Sequence, residues 1–435
     1  MRTFLLFAGA MMAAGMAMAQ SSSPSDEQLQ RLMSSHHIIY FGDSQQELDS
    51  VQKADLIESF YLDQYRHAQD PRAPYFMLMS RGGKMAMGIG GKIQALAFYD
   101  MHGMVNGNGF APYNIPVASN PLAPNGMQMN MGNSAIFLTA FGTDRHFGNY
   151  MVYLEAKFTG SGNNHYFALK KAYATVGDWT LGLAKSTFTD PASQPSTVET
   201  EGPNSEVDAS RFLLRWMHKL PGKWSVAASI ENATDNIAAS QYSALSTTYM
   251  PNIAAFIQYG TQKQHVRLAG ILKNMRYRDL TANRNQYVTG WGVNLTGCAR
   301  PLPALTVFAG ANTGKGIGSL VNDLSKGSND LIGYADDLGK MYAPMSFGYY
   351  GALQYNFRPN LFSTLIFSQE RILPKHRSLY DGDQYKYGLY GTANVFYSIT
   401  PRCVVGAEFT VGNRANMDHT SRVAYRAGLT AEFSF

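Results

Sequence analysis

The chain has 435 residues and a formal charge of +5 at neutral pH, with 15% charged residues, 41 glycines, 26 tyrosines and 24 phenylalanines. So weak a positive charge does not indicate a nucleic-acid-binding protein, and two cysteines in a chain of this length exclude a disulfide scaffold. Glycine together with abundant tyrosine and phenylalanine favours long strands and aromatic girdles over a packed α/β core.

The first twenty residues have the features of a secretory signal peptide. Arg2 precedes an apolar run from Phe4 to Met18, and Ala17-Met18-Ala19 forms a small-residue cleavage site. We therefore predict a signal peptide over residues 1–19 and export of the remaining chain. The alternative, a membrane-spanning helix, fits less well because the run is short and rich in glycine and alanine.

Residues 20–83 differ in composition from the rest and are predicted to form an N-terminal periplasmic extension. One helix is expected over about 45–69, because Asp43 or Ser44 is a candidate N-cap, Glu47 supports a capping box and Pro71 lies beyond the end. Two roles remain open for this helix: it docks on its own protein, or it associates with other copies.

From residue 84 onward the sequence alternates with a period of two. In the last strand one face carries only apolar side chains, namely Val423, Tyr425, Ala427, Leu429, Ala431, Phe433 and Phe435. The segments 345–357 and 385–399 repeat this pattern, with glycine and polar residues on the opposite face. Long strands of this kind are typical of a barrel with lipid outside and water inside. We therefore predict an all-β fold, a transmembrane antiparallel β-barrel of about 16 strands over residues 84–435.

The predicted connections alternate in length. Tight turns such as "RPN" and "TPR" lie on the side of both termini, and the other side has very long connections, about 102–131, 188–207, 233–250 and 314–343. Outer-membrane barrels have this asymmetry, and an even strand number closes the sheet. The predicted location is the outer membrane of a Gram-negative bacterium, in contact with its lipid. Four C-terminal residues also resemble the signal that such barrels present to the barrel-assembly machinery: Tyr425, Leu429, Phe433 and Phe435.

The strand parity places basic side chains on the inner face. Those predicted to line the pore are Lys170, Arg211, Arg215, His265, Arg267, Arg422 and Arg426, and Lys92 and Lys157 have the same parity. Inward acids are fewer. Because a low-dielectric wall focuses the field of its charges on passing solutes, this bias predicts a preference for anions.

The connection after the fifth predicted strand is acidic. It contains Asp190, Glu199, Glu201, Asn204 and Glu206 and has no basic residue between positions 188 and 207. The bore of a barrel of about 16 strands is too wide to select solutes unaided. We therefore predict that the 188–207 loop folds inward and narrows the pore, and that its acids face the basic wall. A solvated surface loop is the alternative.

Three segments invite an enzyme or metal-site interpretation. "FGDSQ" resembles the nucleophile block of certain lipases with Ser44 as nucleophile, but Asp418 lies directly beside His419 instead of at the spacing that such a base requires. "GANTGKGIGS" lacks the spacing of a phosphate loop, and His36–His37 has no partner at metal-ligand spacing. We therefore expect no enzyme activity, no cofactor and no metal.

The segment "LKKAYATVGDWTLGLAKSTFTDPASQPSTVETEGPN", residues 169–204, resembles the characteristic stretch of DcaP-like trimeric outer-membrane porins. "MGIGGKIQALAFYD" in the first predicted strand is similar too. The resemblance implies a sixteen-stranded barrel, a homotrimer, an N-terminal coiled coil and uptake of small, often anionic organic solutes. Family members commonly alternate two arginines where Ala168 and Lys170 stand here, and they have an aromatic residue in place of Lys185.

The function predicted from the sequence is passive diffusion of small hydrophilic, anionic organic solutes through a pore narrowed by the 188–207 loop. Two alternatives remain: a structural or anchoring outer-membrane barrel with a largely closed lumen, and an outer-membrane hydrolase. Cys298 and Cys403 are expected to be free thiols, because four predicted strands separate their own and this distance along the wall exceeds the reach of a disulfide.

Overall fold

The computed structural model describes residues 37–41, 76–80, 85–103, 105, 107–118, 125–144, 146, 148–161, 164–261, 264–375 and 378–435. The signal peptide predicted over 1–19 and the helix predicted over about 45–69 lie outside the described residues. Within the described part of the chain, no helix is long and apolar enough to cross a membrane.

The described residues form 22 strands. In chain order they are β1 (His37–Phe41), β2 (Phe76–Ser80), β3 (Met85–Met101), β4 (Asn125–Asn130), β5 (Ala135–Asp144), β6 (Gly148–Ser161), β7 (Asn164–Val176), β8 (Trp179–Lys185), β9 (Ser210–Leu220), β10 (Trp224–Glu231), β11 (Ser243–Leu245), β12 (Asn252–Gly260), β13 (His265–Asp279), β14 (Arg284–Leu302), β15 (Leu305–Lys315), β16 (Ile332–Gly333), β17 (Met341–Tyr342), β18 (Met345–Arg358), β19 (Leu361–Leu373), β20 (Tyr385–Thr400), β21 (Cys403–Asn416) and β22 (Ser421–Ser434). Short 3-10 turns occupy Pro112–Asn114, Pro191–Ser193, Pro221–Lys223, Gly318–Leu320 and Leu324–Lys326.

The long strands form a closed antiparallel barrel of 16 strands. Its wall consists of β3, β5 to β10, β12 to β15 and β18 to β22, and β4 and β11 prolong the second and eighth strands. The ring closes where β22 pairs with β3, from Tyr425 opposite Met101 to Ser434 opposite Lys92. The predicted barrel and its strand number are thus confirmed.

The two faces of the wall follow the period-two pattern. On β13, Leu268 and Leu272 point outward and are 48% and 56% exposed, whereas Arg267 just before them and Lys273 just after them are buried inside. On β22, Leu429 is 61% exposed and Thr430 is buried. Because successive side chains of a strand alternate between faces, the wall presents apolar side chains outward and polar ones inward, as predicted.

The connections also alternate as predicted. On the side of the carboxyl terminus they are short, for example 177–178, 303–304, 359–360 and 401–402, whereas on the other side 102–124, 186–209 and 316–344 are long. A closed barrel has no unpaired strand edge. At the barrel end that carries no function, a tight turn is enough to join two neighbouring strands. The long side therefore holds the segments that shape the interior.

The N-terminal extension adds two strands that the sequence did not predict. β3 continues beyond the end of β22, and β2 pairs antiparallel with this free portion, from Phe76 opposite Ile89 to Met79 opposite Ala86. β1 pairs parallel with β2. Met77 and Met79 are buried inward against an aromatic cluster of the wall that includes Tyr153 and Tyr173. Strands of five residues are too short to produce a clear alternating pattern.

Candidate functional site: the barrel lumen

The long connection between β8 and β9, residues 186–209, enters the barrel and is named the inward loop. Its first residues are held by the Glu231 carboxylate of β10, which accepts hydrogen bonds from Ser186 Oγ at 2.7 Å and from the Thr187 amide at 2.8 Å. Asn294 of β14 then donates to the carbonyl of Phe188 at 3.0 Å. These inward-facing partners direct the loop across the lumen instead of away from it.

Asp190 is the first anchoring point of the inward loop. Its carboxylate contacts His265 Nε2 at 2.7 Å, accepts a hydrogen bond from Thr296 Oγ1 at 2.7 Å and lies 3.4 Å from the Arg267 guanidinium. Burial alone would raise the pKa of Asp190, but the charges of Arg267 and His265 outweigh burial and hold it well below its usual range. The carboxylate is therefore ionised and bound to two neighbouring strands of the wall.

Glu199 is the second anchoring point. Its carboxylate accepts hydrogen bonds from the hydroxyl of Tyr390 at 2.8 Å and from the amide of Phe110 at 2.9 Å. The Glu408 carboxylate of β21 accepts from the amides of Val198 and Glu199, at 2.8 and 3.1 Å. Burial and the neighbouring Glu408 carboxylate raise the pKa of Glu199 to about 8. The loop at this point is fixed by polar contacts to β20, β21 and the backbone of Phe110.

The loop then returns along the same side. Asn204 Nδ2 donates to Asp323 at 3.1 Å and to the carbonyl of Gly388 at 3.0 Å, and Ser368 Oγ donates to Asn204 Oδ1 at 2.7 Å. Burial raises the pKa of Asp323 to about 6, and burial together with Asp208 also raises the pKa of Glu206. The inward loop therefore covers the wall from β13 to β21 from the inside.

A second long connection, 102–118, is also bound inside. Arg426 of β22 pairs with Asp100 of β3 at 2.6 Å, and its guanidinium donates to the carbonyls of Val105, Gly107 and Gly109. Arg422 of β22 donates to the carbonyls of His102 at 2.7 Å and Ala118 at 3.2 Å. These arginines fasten the connection to the wall.

The wall formed by β6 and β7 is not covered by the inward loop, and it is named the basic wall after Lys157, Lys170 and Lys171. Lys170 is 34% exposed and lies 3.1 Å from Glu155, which Lys171 approaches to 3.8 Å. A bulge opposite Glu155 and Ala156 shifts the register, so two consecutive lysines both face inward. Strict alternation predicted only Lys170, and no sequence signal marks the bulge.

The inward loop presents acids towards this wall. Lys157 interacts electrostatically with Lys170 and Lys185 and with the loop residue Glu201. Glu201 is partly exposed and pairs with Lys326 at 2.6 Å, and Lys185 pairs with the loop residue Asp208. Burial would raise the pKa of Asp208, but the Lys185 ammonium lowers it below its usual range. Basic wall and acidic loop therefore face each other.

The predicted pore-lining cations fall into two groups. Lys170 keeps substantial exposure. The others bind loop segments or are buried: Arg211 donates to the carbonyl of Ser319, Arg215 to that of Lys185 and Arg267 to that of Thr189, His265 contacts Asp190, and Arg422 and Arg426 hold the 102–118 connection. All seven lie on the inner side of the wall, but the residue types alone did not indicate which would be paired.

The C-terminal residues lie on the outer face and at the barrel seam. Leu429 and Phe433 are exposed outward, and Tyr425 packs against Phe409 with ring centroids 6.2 Å apart. Phe435 exchanges two backbone hydrogen bonds with Gly91, of 2.7 and 2.9 Å, and its ring lies where a side chain at position 91 would be. Neither Cys298 nor Cys403 forms a disulfide in the described part of the chain, as predicted.

The barrel is shared with solved outer-membrane proteins. The outer membrane channel DcaP of Acinetobacter baumannii matches with a TM-score of 0.69 at 18% identity, over 81% of this chain and 98% of that chain. The anion-selective porin from Comamonas acidovorans matches with a TM-score of 0.52 at 8% identity, over 81% of this chain and 100% of that chain. OmpT of Vibrio cholerae with loop L8 deleted has a TM-score of 0.51 at 11% identity, over 81% and 100% of the two chains. No protein-family model and no curated protein matches the sequence. The chain thus has the fold of the DcaP channel, as the sequence resemblance predicted.

Proposed function

We propose that the protein is a porin of the outer membrane of a Gram-negative bacterium and conducts small hydrophilic organic solutes by passive diffusion. The observation that carries this proposal is the inward loop, which is bound to five or more strands by side chains of the inner wall and leaves the basic wall uncovered. The bore of a barrel of 16 strands conducts water and solutes unless it is narrowed. A loop fixed across it sets the size limit of the channel.

The exposed lysines give the channel a preference for anions. Lys157 and Lys170 are partly exposed on the basic wall, and Glu155 pairs there with Lys170 and with the buried Lys171. Two unit charges about 4 Å apart interact by about 4 kcal/mol at an effective dielectric constant near 20. Hydration and salt screening beyond about 8–10 Å reduce this, so the expected bias is about 1 kcal/mol. The Comamonas acidovorans porin with this fold is anion-selective, which supports the same sign here.

The function is tested by measuring reversal potentials of the purified protein in planar bilayers under a salt gradient. The expected result is conductance with a reversal potential of the anion-selective sign, shifted further when a small organic carboxylate replaces chloride. A potential of the opposite sign would overturn the anion preference and leave the porin. Absence of conductance from correctly folded protein would favour a structural barrel with a closed lumen.

Trimeric assembly is a further part of this proposal. The resemblance to DcaP-like porins implies it, and the outer wall carries a shallow apolar hollow of about 620 Å³ between β20 and β4, where alanines alternate with larger side chains such as Tyr99, Phe409 and Leu429. A second copy would fill this hollow better than fluid lipid, because packing, not solvent exclusion, favours contacts in a membrane. Conductance that rises in triplet steps, and a trimer mass in detergent, are expected. A monomer mass would contradict this part alone.

The proposal that the outer face of β22 contacts lipid has its own test. Leu429→Asp places a charge on the outer face and is expected to reduce assembly, whereas Thr430→Asp on the same strand faces the lumen and is expected to be tolerated. Heat-modifiable migration on detergent gels measures the folded fraction. Equal losses of folded protein in both variants would mean that β22 does not face lipid.

Phe435 and its outward neighbours are also proposed to be recognised by the barrel-assembly machinery. Deletion of Phe435 should therefore slow assembly in cells more than it slows refolding in detergent.

A further inference from the structure

Five buried oxygen atoms meet where the inward loop returns along β15, β18 and β19. They are Glu370 Oε1 and Oε2, Ser205 Oγ, Asn312 Oδ1 and Ser346 Oγ. Within the described residues, none of these oxygen atoms forms a hydrogen bond of normal geometry, although Asn312 and Ser346 interact with the Glu370 carboxyl. The four residues are between 0% and 4% exposed. An unpaired buried oxygen is costly, and four such residues in one place require an explanation.

The strand register shows why these atoms converge. Asn312, Gly348 and Glu370 occupy one row across three neighbouring strands, all facing inward. Gly348 has no side chain, so its two neighbours can lean over it. A Cβ at this position would overlap Glu370 Oε2 and lie 2.7 Å from Ser205 Cβ. Asn312 and Ser346 also lie close to the Glu370 carboxylate. The glycine thus forms the floor of a small cradle with oxygen atoms on its sides.

Among the four cradle residues, Glu370 has the one ionisable side chain, and a bound cation would stabilise its carboxylate form. Within the described part of the chain, no lysine, arginine or histidine forms an ion pair with Glu370, and the carboxylate of Asp323 interacts with it electrostatically. Asn312 Nδ2 donates one hydrogen bond to the carbonyl of Ser205 at 2.6 Å. All four residues have a side-chain oxygen atom that a cation can bind.

We propose that Glu370, Ser205, Asn312 and Ser346 form a binding site for a hard divalent cation, with Ca²⁺ as the preferred ion. Ca²⁺ accepts six to eight oxygen ligands in irregular geometry, including carboxylate, amide and neutral oxygens. A bidentate Glu370 with three neutral oxygens supplies five, and water completes the shell. Mg²⁺ requires a near-ideal octahedron and releases its water reluctantly, which three strands and a loop do not provide.

The site joins the inward loop to the wall. Ser205 belongs to the loop, and the other three ligands belong to β15, β18 and β19. Asp190 and Glu199 anchor the outgoing part of the loop through hydrogen bonds and ion pairs. The returning part near Ser205 is held to the wall by Asn312 and through Asn204, and its backbone pairs with residues 320–323. A bound cation would fix the returning part in the same manner. This inference does not depend on which solutes the channel conducts.

The test measures Ca²⁺ binding to the full chain. The protein is refolded in detergent, so that it is free of lipopolysaccharide, and bound cations are removed with EDTA beforehand. Isothermal titration with CaCl₂ is expected to give one site per chain with a Kd on the order of 10⁻⁴ to 10⁻³ M, typical of extracellular sites with few charged ligands. MgCl₂ is expected to bind at least tenfold more weakly. Glu370→Gln and Gly348→Ala are each expected to weaken Ca²⁺ binding at least tenfold, the first by removing the charge and the second by filling the cradle.

Gly351→Ala is the matched control. Gly351 lies on the same strand, and a Cβ there meets nothing within 4 Å, so Ca²⁺ binding is expected to stay unchanged. Heat-modifiable migration identifies variants that do not fold. If Gly348→Ala fails to fold, Glu370→Gln decides alone. The proposal is overturned if the folded wild type binds no Ca²⁺ at about tenfold above the expected Kd, or if Glu370→Gln binds it as tightly as the wild type.

Discussion

The two sides of the lumen carry similar charges and use them differently. On the covered side Arg267 and Arg426 are 3% and 1% exposed, and each is paired with a carboxylate and with loop carbonyls. On the basic wall Lys170 is 34% exposed and faces the open lumen. Strand parity is the same for all three. The inward direction of a charge therefore does not define its role; its burial does.

The difference has an energetic reason. A buried ion pair costs desolvation that its mutual attraction only balances, but removing one partner leaves an uncompensated buried charge. The arginines of the covered side are accordingly structural and are expected to affect stability. An exposed lysine is solvated and screened, so its removal is expected to affect permeation and to leave stability nearly unchanged.

The largest expected effect is that of Arg426→Leu. It leaves the buried Asp100 without its partner and frees the 102–118 connection, which should reduce the free energy of unfolding by about 3–5 kcal/mol. Thermal unfolding followed on detergent gels measures this. Arg422→Leu is the matched control, because Arg422 is partly exposed and donates only to carbonyls; it should cost less than about 1 kcal/mol. Equal losses of stability in the two variants would show that the ion pair with Asp100 does not distinguish Arg426 from Arg422.

Asp190→Asn is expected to have the next largest effect. The amide keeps the shape but removes the charge that His265 and Arg267 surround, at a cost of about 1–3 kcal/mol. The released loop should increase single-channel conductance and current noise in planar bilayers. Asp208→Asn, a loop acid that pairs only with Lys185 near the surface, should change both by much less. A conductance unchanged by Asp190→Asn would show that the inward loop does not define the constriction.

Lys157→Gln together with Lys170→Gln tests the open side. The double variant should lower the anion-to-cation permeability ratio by roughly fivefold, which corresponds to about 1 kcal/mol, with thermal stability nearly unchanged. Reversal potentials under a salt gradient give the ratio. Lys340→Gln, on an exposed connection beside Asp337, should leave the ratio unchanged. A loss of stability without a change in selectivity would assign these lysines to the structural group.

A pH dependence of stability is expected to arise from Glu199. Its pKa is about 8 in the folded protein and 4.5 in a solvated chain, so between these values the folded state holds a proton that the unfolded state has lost. Stability therefore falls as pH rises from about 5 to 8 and then levels off. Asp323 and Glu206, whose pKa values are also raised, act with the same sign. Thermal unfolding at pH 6 and 8 should show a smaller difference in Glu199→Gln than in the wild type, and an equal difference would contradict the assignment to Glu199.

Much of the fold followed from the sequence because a barrel in lipid obeys a local rule. Each strand must show apolar side chains at every second position, as Leu268 and Leu272 or Leu429 and Phe433 do, and this period is visible without knowledge of any partner. The same rule gave the strand number and the asymmetry of the connections. It failed only where the local pattern is broken, at the bulge that turns Lys171 inward and in the short strands β1 and β2.

The interior depended on contacts between residues far apart in the chain. The acidic composition of residues 188–207 predicted an inward loop, but not that Asp190 would meet His265 or that Glu199 would meet Tyr390 and Glu408. Nor did it show that Ser205 would lie over Gly348 beside Glu370. The sequence by itself determined the lipid-facing surface, since lipid imposes the same requirement on every strand. Only the tertiary structure decided which inward charges are paired and which face the lumen, because pairing depends on where three long connections come to rest inside the barrel.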